Sequence, residues 1–437
     1  MKDYVIVIGG GLAGSEAAYQ IAKRGVKVKL YEMRPQKMTP AHTTGELAEI
    51  VCSNSMGSVE ETTASGLLKK ELLLLDSLII KTALESRVPA GHALAVDRKI
   101  FSQKVTEKLE SMENVEIIRE EVKSIPEEGP VIIASGPLTS EDLSKSIMKF
   151  TERKNLFFYD ATTPIITAES IDMTKAFKGA RYGKGGDDYI NCPMTEEEYK
   201  RFYEALINAE TIEPHEFEKD KFFENCLPIE ELAKRGYRTL LFGPLKPVGL
   251  IDPRTGKTPF AVAQLRQDDL AAHFYSMVGF QTRLKWGEQK RVFRMIPGLE
   301  KAEFVRYGTV HRNTYINSPV ILKQTYQTRK REDLFFAGQI TGVEGYVEST
   351  ASGLLAGIFA VKLLRGETLE PPPRTTAVGA LSFYITHANW RNFQPMNFVF
   401  GILEPLERKV RDSKRRRLAY TERSIKHLKE WMERNKI

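Results

Sequence analysis

The start of the sequence constrains its fold most. An apolar run, Tyr4-Val-Ile-Val-Ile8, passes through Gly9-Gly-Gly-Leu-Ala-Gly14 into a helical stretch and then a second apolar run that ends at Glu32. Strand, glycine turn, helix and strand in that order make a dinucleotide-binding unit. Gly9, Gly11 and Gly14 keep the G-x-G-x-x-G spacing. The first permits a tight turn, the second lets backbone reach a pyrophosphate, and the third lets helix and strand approach each other. Gly10, Leu12 and Ala13 complete the cofactor turn. The helix that follows aims its free N–H groups and positive end at the phosphates. Glu32 is placed to accept ribose hydroxyls.

The 437 residues, 42% hydrophobic and 28% charged, suffice for two or three domains with a substantial core and exclude disordered or fibrous classes. The apolar stretch 72–80 is interrupted by Asp76 and is too short to span a bilayer, so no membrane partner is expected. The N-terminus shows no secretion signal, which makes a cytoplasmic location the expectation. Three cysteines, Cys52, Cys192 and Cys226, contain no C-x-x-C pair. Neither a disulfide framework nor a metal site is expected from them. A free cysteine is most often a small buried apolar residue, but each of these lies in a polar or proline-marked context, which raises the weight of a reactive role.

A net charge of +7 suggests a polyanionic partner. Residues 408–417 read Arg-Lys-Val-Arg-Asp-Ser-Lys-Arg-Arg-Arg, and Arg283, Lys285, Lys290, Arg291 and Arg294 cluster around Trp286 and Phe293. Basic residues among rings bind phosphates and stack on bases, although a solvated helix face explains the C-terminal run equally well. Trp390 and Arg391 are either nucleic-acid contacts or part of a core.

Along the chain, the loop region 35–65 holds Glu49-Ile-Val-Cys-Ser-Asn-Ser-Met-Gly57. One helix is predicted over 67–84, another from Asp97-Arg98 to Leu109, and strands at 115–118 and 131–134. From about Lys154 the composition changes, with a charged helix at 195–208 and strand-like runs over 237–262. A strand returns at Leu334 and leads into a helix over 348–364 whose small residues Ala351, Gly353, Ala356 and Gly357 allow close approach to a sheet or cofactor. The fold class expected is α/β: a two-part FAD-binding Rossmann-like domain (1–155 and 306–437) with an inserted α+β domain (156–305).

Ala337-Gly-Gln-Ile-Thr-Gly-Val-Glu-Gly-Tyr346 resembles the second FAD motif of two-part flavin folds, with Gln339 where many flavoproteins carry Asp. Together with 49–57 and Asp97-Arg98, it makes the sequence resemble, over almost its whole length, the folate- and FAD-dependent tRNA uracil-5-methyltransferases. Their relatives are the flavin-dependent wobble-uridine modifying enzymes. The resemblance implies FAD, methylenetetrahydrofolate as carbon donor, NADH or NADPH as reductant, and a tRNA T-loop uridine as acceptor. It also implies that Gly338, Gln339, Tyr346 and Arg98 join the front motif in holding cofactor. Cys226 becomes the nucleophile at uracil C6 and Cys52 a second thiol near the flavin, with the two roles exchangeable; Cys192 is structural. His311 is a candidate for the pterin or a satisfied strand-edge histidine, and Arg415, Arg416 and Arg417 are candidates for tRNA phosphates. Wobble-uridine modification and small-molecule flavin oxidation remain the alternative functions.

Overall fold

A five-stranded parallel sheet runs, in spatial order, through Leu334–Phe336, Val131–Ile133, Tyr4–Ile8, Lys27–Tyr31 and Val115–Ile118. The structure, a computed structural model, describes residues 3–153, 156–183, 186–212, 227–408 and 410–437, without the side chains of 156–160 and 310–312. In the first strand Val5 and Val7 enter the larger core, while Ile6 and Ile8 enter a smaller one with Leu143, Ile147 and Phe336. Burial of both faces is why this strand reads as an unbroken apolar run. The last strand of the sheet comes from the far end of the chain, with Leu334 opposite Val131.

Between these parts lies a six-stranded antiparallel sheet built from residues 165–306. It has its own core, including Cys192, Phe202, Phe280 and Phe293. Burial pushes the Cys192 thiol up to about 12, which keeps it protonated, as suits a structural cysteine. A two-stranded ribbon, Leu156–Ala161 with Val310–Tyr315, links this region to the parallel sheet.

The small-residue face of the helix Tyr346–Leu364 lies on the opening helix Leu12–Ala22 rather than on a sheet. A Cβ on Gly353 would overlap the Ala13 carbonyl, and one on Gly357 would lie 2.8 Å from the Ala17 carbonyl. By length and composition Tyr346–Leu364 could cross a membrane, yet 89% of its apolar window is buried inside the protein.

Two sequence readings differ from the structure. The helix expected over 67–84 is two, Ala64–Leu74 and Leu78–Glu85. Asp76 takes φ +63°, and the second helix starts on a Ser77 cap reinforced by buried Glu16, which accepts from Ser77 Oγ and the Ile79 N–H. The strand-like runs over 237–260 form turns, including a 3-10 turn at Thr239–Phe242, and the strand begins only at Ala261. Glycine and proline punctuation prevailed there over β-branched content.

Glu71 works as Glu16 does, at a junction of three segments. From Ala64–Leu74 its carboxylate accepts the N–H groups of Ala377 and Val378, at the start of the helix Ala377–His387, and the Ser424 hydroxyl. Burial dominates these bonds and raises its pKa to about 7. A carboxyl raised on folding stabilises fully below its unfolded pKa, and that contribution is lost as pH rises through the folded value.

Two outcomes follow. Gly353→Val should lower the unfolding free energy by roughly 1–3 kcal/mol or more through helix separation, read as a lower denaturant midpoint. Glu71→Gln should lower the thermal midpoint at pH 5 and flatten its decline towards pH 8; a decline as steep as in the parent protein would refute the linkage.

Candidate active site

The carboxyl ends of the parallel strands open into a cleft lined among others by Gly9, Gly11, Leu12, Ala13, Glu32, Gly338, Gln339 and Tyr346. Gly9 (φ +100°) has no room for a side chain, because a Cβ would sit 2.6 Å from the Ala134 carbonyl; one on Gly14 would overlap the Gly9 carbonyl. A Cβ on Gly11, by contrast, would meet nothing within 4 Å. The backbone after Gly11 is thus bare towards the cleft, where the helix Leu12–Ala22 begins without a side-chain cap. Gly338 (φ +81°) packs so that its Cβ would lie 2.9 Å from Ala13 Cβ, which brings the second motif against the first. This cradle fits a dinucleotide with its pyrophosphate at the helix start.

Glu32 is more occupied than its expected ribose role requires. Its carboxylate accepts from the Gly10 N–H at 2.8 Å and from the Arg34 backbone N–H, Nε and Nη2 at 3.0, 3.0 and 3.2 Å. Burial alone would raise its pKa, but the Arg34 bonds and charge hold it below the usual range. A carboxylate has about four acceptor sites, so a ribose hydroxyl would have to displace one of the Arg34 contacts. Arg34 is itself buried and also donates to Glu49 at 2.9 Å.

A second cavity, open to solvent, continues from the cleft and shares Val51, Gln339, Tyr346 and Ser349 with it. Cys52, Ser53, Thr162, Asn313, Glu344, Glu348 and Asn397 line it. The Cys52 N–H donates to Tyr346 Oη at 2.9 Å, and Gln339 Nε2 donates to Glu344 Oε2 at 2.7 Å. Three arginines hold the Cys52 loop. Arg98 donates to the carbonyls of Ile50 and Cys52 at 2.8 and 2.7 Å, Arg306 donates to the Val51 carbonyl, and Arg266 donates to Ser53 Oγ and Asn54 Oδ1 at 2.6 and 2.8 Å. Burial lowers the pKa of Arg266 and of Arg306; Arg98 is buried as well, but its ion pair with Asp268 at 3.0 Å raises it instead. Cys52 therefore lies in a positive field.

The structure gathers the front motif, Gly338, Gln339, Tyr346 and Cys52 around one continuous space. Arg98 is placed differently from the expectation. It lines neither cavity and holds the Cys52 loop instead. Cys226 lies outside the described residues, and of His311 only the backbone is described, in the ribbon opposite Asp160. Arg415, Arg416 and Arg417 are exposed near the start of the helix Ser413–Asn435 and line neither cavity. The cluster around Trp286 is largely neutralised: Arg283 pairs with Glu231, Lys285 with Glu210 and Arg291 with Glu288, while Phe293 is core. Trp390 is exposed between Arg153 and Arg391. Sequence reasoning missed Arg34, Arg266, Arg306 and Glu348, none of which stands in a recognisable motif. Among the described residues no group of three or more His, Cys, Asp or Glu side chains is arranged for a metal ion.

Comparison with known proteins agrees with this architecture. The family described as glucose inhibited division protein A matches residues 4–368. The chain is 60% identical over 425 residues to the Methylenetetrahydrofolate--tRNA-(uracil-5-)-methyltransferase TrmFO of Bacillus pumilus (strain SAFR-032), covering 97% of this chain and 98% of that protein. It is 58% identical over 437 residues to the protein of that name from Aquifex aeolicus (strain VF5), covering 100% and 98%. Among solved structures, Aquifex aeolicus GidA in its form II crystal matches with a TM-score of 0.69 at 18% identity, covering 98% of this chain and 73% of that one. That likeness confirms the flavoprotein fold. The near-full-length identities go further: the chain belongs to the glucose inhibited division protein A family and, within it, to the methylenetetrahydrofolate--tRNA-(uracil-5-)-methyltransferases.

Proposed function

We propose that this chain methylates C5 of the T-loop uridine in tRNA, with methylenetetrahydrofolate as carbon donor. The observation that carries this reading is 58–60% identity, over almost the full length of both chains, to proteins named for that activity. The joined cleft and cavity support it, because cofactor, folate and a splayed-out base need one continuous space. Bound FAD, when reduced, supplies the one-carbon carrier and the reducing equivalents; NADH or NADPH is the proposed source of those electrons.

The chain's own residues then have defined tasks. The bare backbone after Gly11 receives the pyrophosphate, and Gly338, Gln339 and Tyr346 border the reactive end of the site. Uracil C5 is a poor nucleophile until a thiolate adds at C6. This reading gives that addition to Cys226 and makes Cys52, fixed by Tyr346 and three arginines, the second thiol; their roles can be exchanged. Positive charge near a thiol favours the reactive thiolate. Arg415, Arg416 and Arg417 are proposed phosphate contacts. Cations at a helix N-terminus oppose the helix dipole, so Arg415 and Arg416 in the first turn and Arg417 just after it fit a task outside the fold.

The purified protein should be yellow. Gly11→Val should fold normally yet lose most of its flavin, whereas Gly14→Val should lower thermal stability as well; flavin absorbance per protein and a melting curve check both. Full flavin in Gly11→Val would mean that the pyrophosphate sits elsewhere.

Isotope tracing tests the reaction. Carbon label in methylenetetrahydrofolate should appear in tRNA 5-methyluridine, and label in S-adenosylmethionine should not. With 5-fluorouridine tRNA, a covalent adduct should form and vanish in Cys226→Ala. Loss in Cys52→Ala alone would reverse the two thiols, and survival in both would sink cysteine attack.

A further inference from the structure

Glu348 stands in the first turn of the helix Tyr346–Leu364, on the wall of the second cavity. Its Oε1 accepts the Phe398 N–H at 2.9 Å. Its Oε2 lies against Gly345, where a Cβ would overlap it, and Gly345 lines the same cavity. The buried carboxylates that join elements are bound differently. Glu16 accepts from Gln20, Ser77, Leu78 and Ile79, and Glu71 from Ala377, Val378 and Ser424. Glu348 takes one N–H from another segment and borders open space.

Its surroundings carry little charge. Lys69 of the helix Ala64–Leu74 acts on it electrostatically, while the Lys69 ammonium donates to the Ser58 and Ser65 carbonyls at 3.0 and 3.3 Å. In the preceding loop Glu344 is engaged by Gln339, and Asn397 donates to the Glu344 carbonyl at 2.8 Å. On its own helix Tyr346 receives the Cys52 N–H. Burial, opposed first by the Phe398 and Glu348 backbone N–H groups and then by the Lys69 charge, brings Glu348 up to about 7, and burial, opposed by Glu348, brings Lys69 down to about 8. A carboxyl that titrates near neutrality inside a reaction cavity is suited to passing protons.

We propose that Glu348 accepts the C5 proton of the uridine, with the charge of Lys69 acting on it. This rests on the methylation reading. Once the thiolate is bonded to C6 and the one-carbon unit to C5, the C5–H bond breaks and its proton goes to the Glu348 carboxylate. The electron pair forms C5=C6, and the C6–S bond breaks to return the thiolate. No oxidant or reductant enters this step.

The test uses the flavin-loaded enzyme and tRNA carrying tritium at uridine C5. Glu348→Gln keeps an acceptor for the Phe398 N–H. At flavin content equal to the parent's, it should release tritium about 100-fold more slowly or worse while the tRNA–thiol adduct accumulates. Parent-like tritium release without adduct build-up would overturn the assignment. Should Glu348→Gln lose flavin, Lys69→Met decides. Removing the cation raises the Glu348 pKa, so the acid limb of the rate profile should move to higher pH, and an unmoved limb overturns the proposal. A parent enzyme that transfers no folate carbon sinks the methylation reading and this assignment with it, a result visible without either variant.

Discussion

The contact between Leu12–Ala22 and Tyr346–Leu364 is the constraint on which the rest of the molecule depends. One helix begins at the glycine turn that lines the cleft and the other at the wall of the second cavity, so their spacing sets the distance between the two spaces. Gly353 and Gly357 allow backbone to lie on backbone. The same approach lets Gly338 reach Ala13 and puts Leu334–Phe336 beside Val131–Ile133, which completes the sheet with a strand from the far end of the chain. A side chain at either glycine would open the site as well as weaken the core.

Buried carboxylates join the outer elements to this centre. Glu16 fixes the start of Leu78–Glu85, and Glu71 fixes Ala377–His387 and reaches Ser424 in the C-terminal helix. Each sits against free helix N–H groups, which offset part of the cost of burying an acid. The remainder appears as pKa values raised by burial. These joints therefore weaken towards alkaline pH, opposite to surface ion pairs that fail in acid.

How much of this was legible in the sequence depended on range. The glycine turn, the strands at 115–118 and 131–133 and the helix from Arg98 were readable because their signals are local: spacing, apolar runs and the Asp97 cap. The site's two motifs were readable for the same reason. The break at Asp76 was not, because it is settled by Glu16, sixty residues away in the chain. Arg98 illustrates the limit best. The family resemblance implied a cofactor contact for it, but Asp268 and the carbonyls of Ile50 and Cys52 determine its direction, and neither local pattern nor charge reveals such partners.

The Cys52 loop shows why that long-range set matters for chemistry. Arg98 comes from the start of the helix Arg98–Glu110, Arg266 from the middle of the antiparallel sheet, and Arg306 from the last of its strands in the chain. Their guanidinium groups converge on five consecutive residues, 50–54. Each arginine spends its planar donors on carbonyl or side-chain oxygens in a geometry that lysine cannot copy. Buried cations need such partners, and a loop without regular structure needs donors for its carbonyls. The two needs satisfy each other. The Cys52 loop is consequently positioned only when both sheets stand in their proper relation, which ties this wall of the second cavity to correct assembly of the chain.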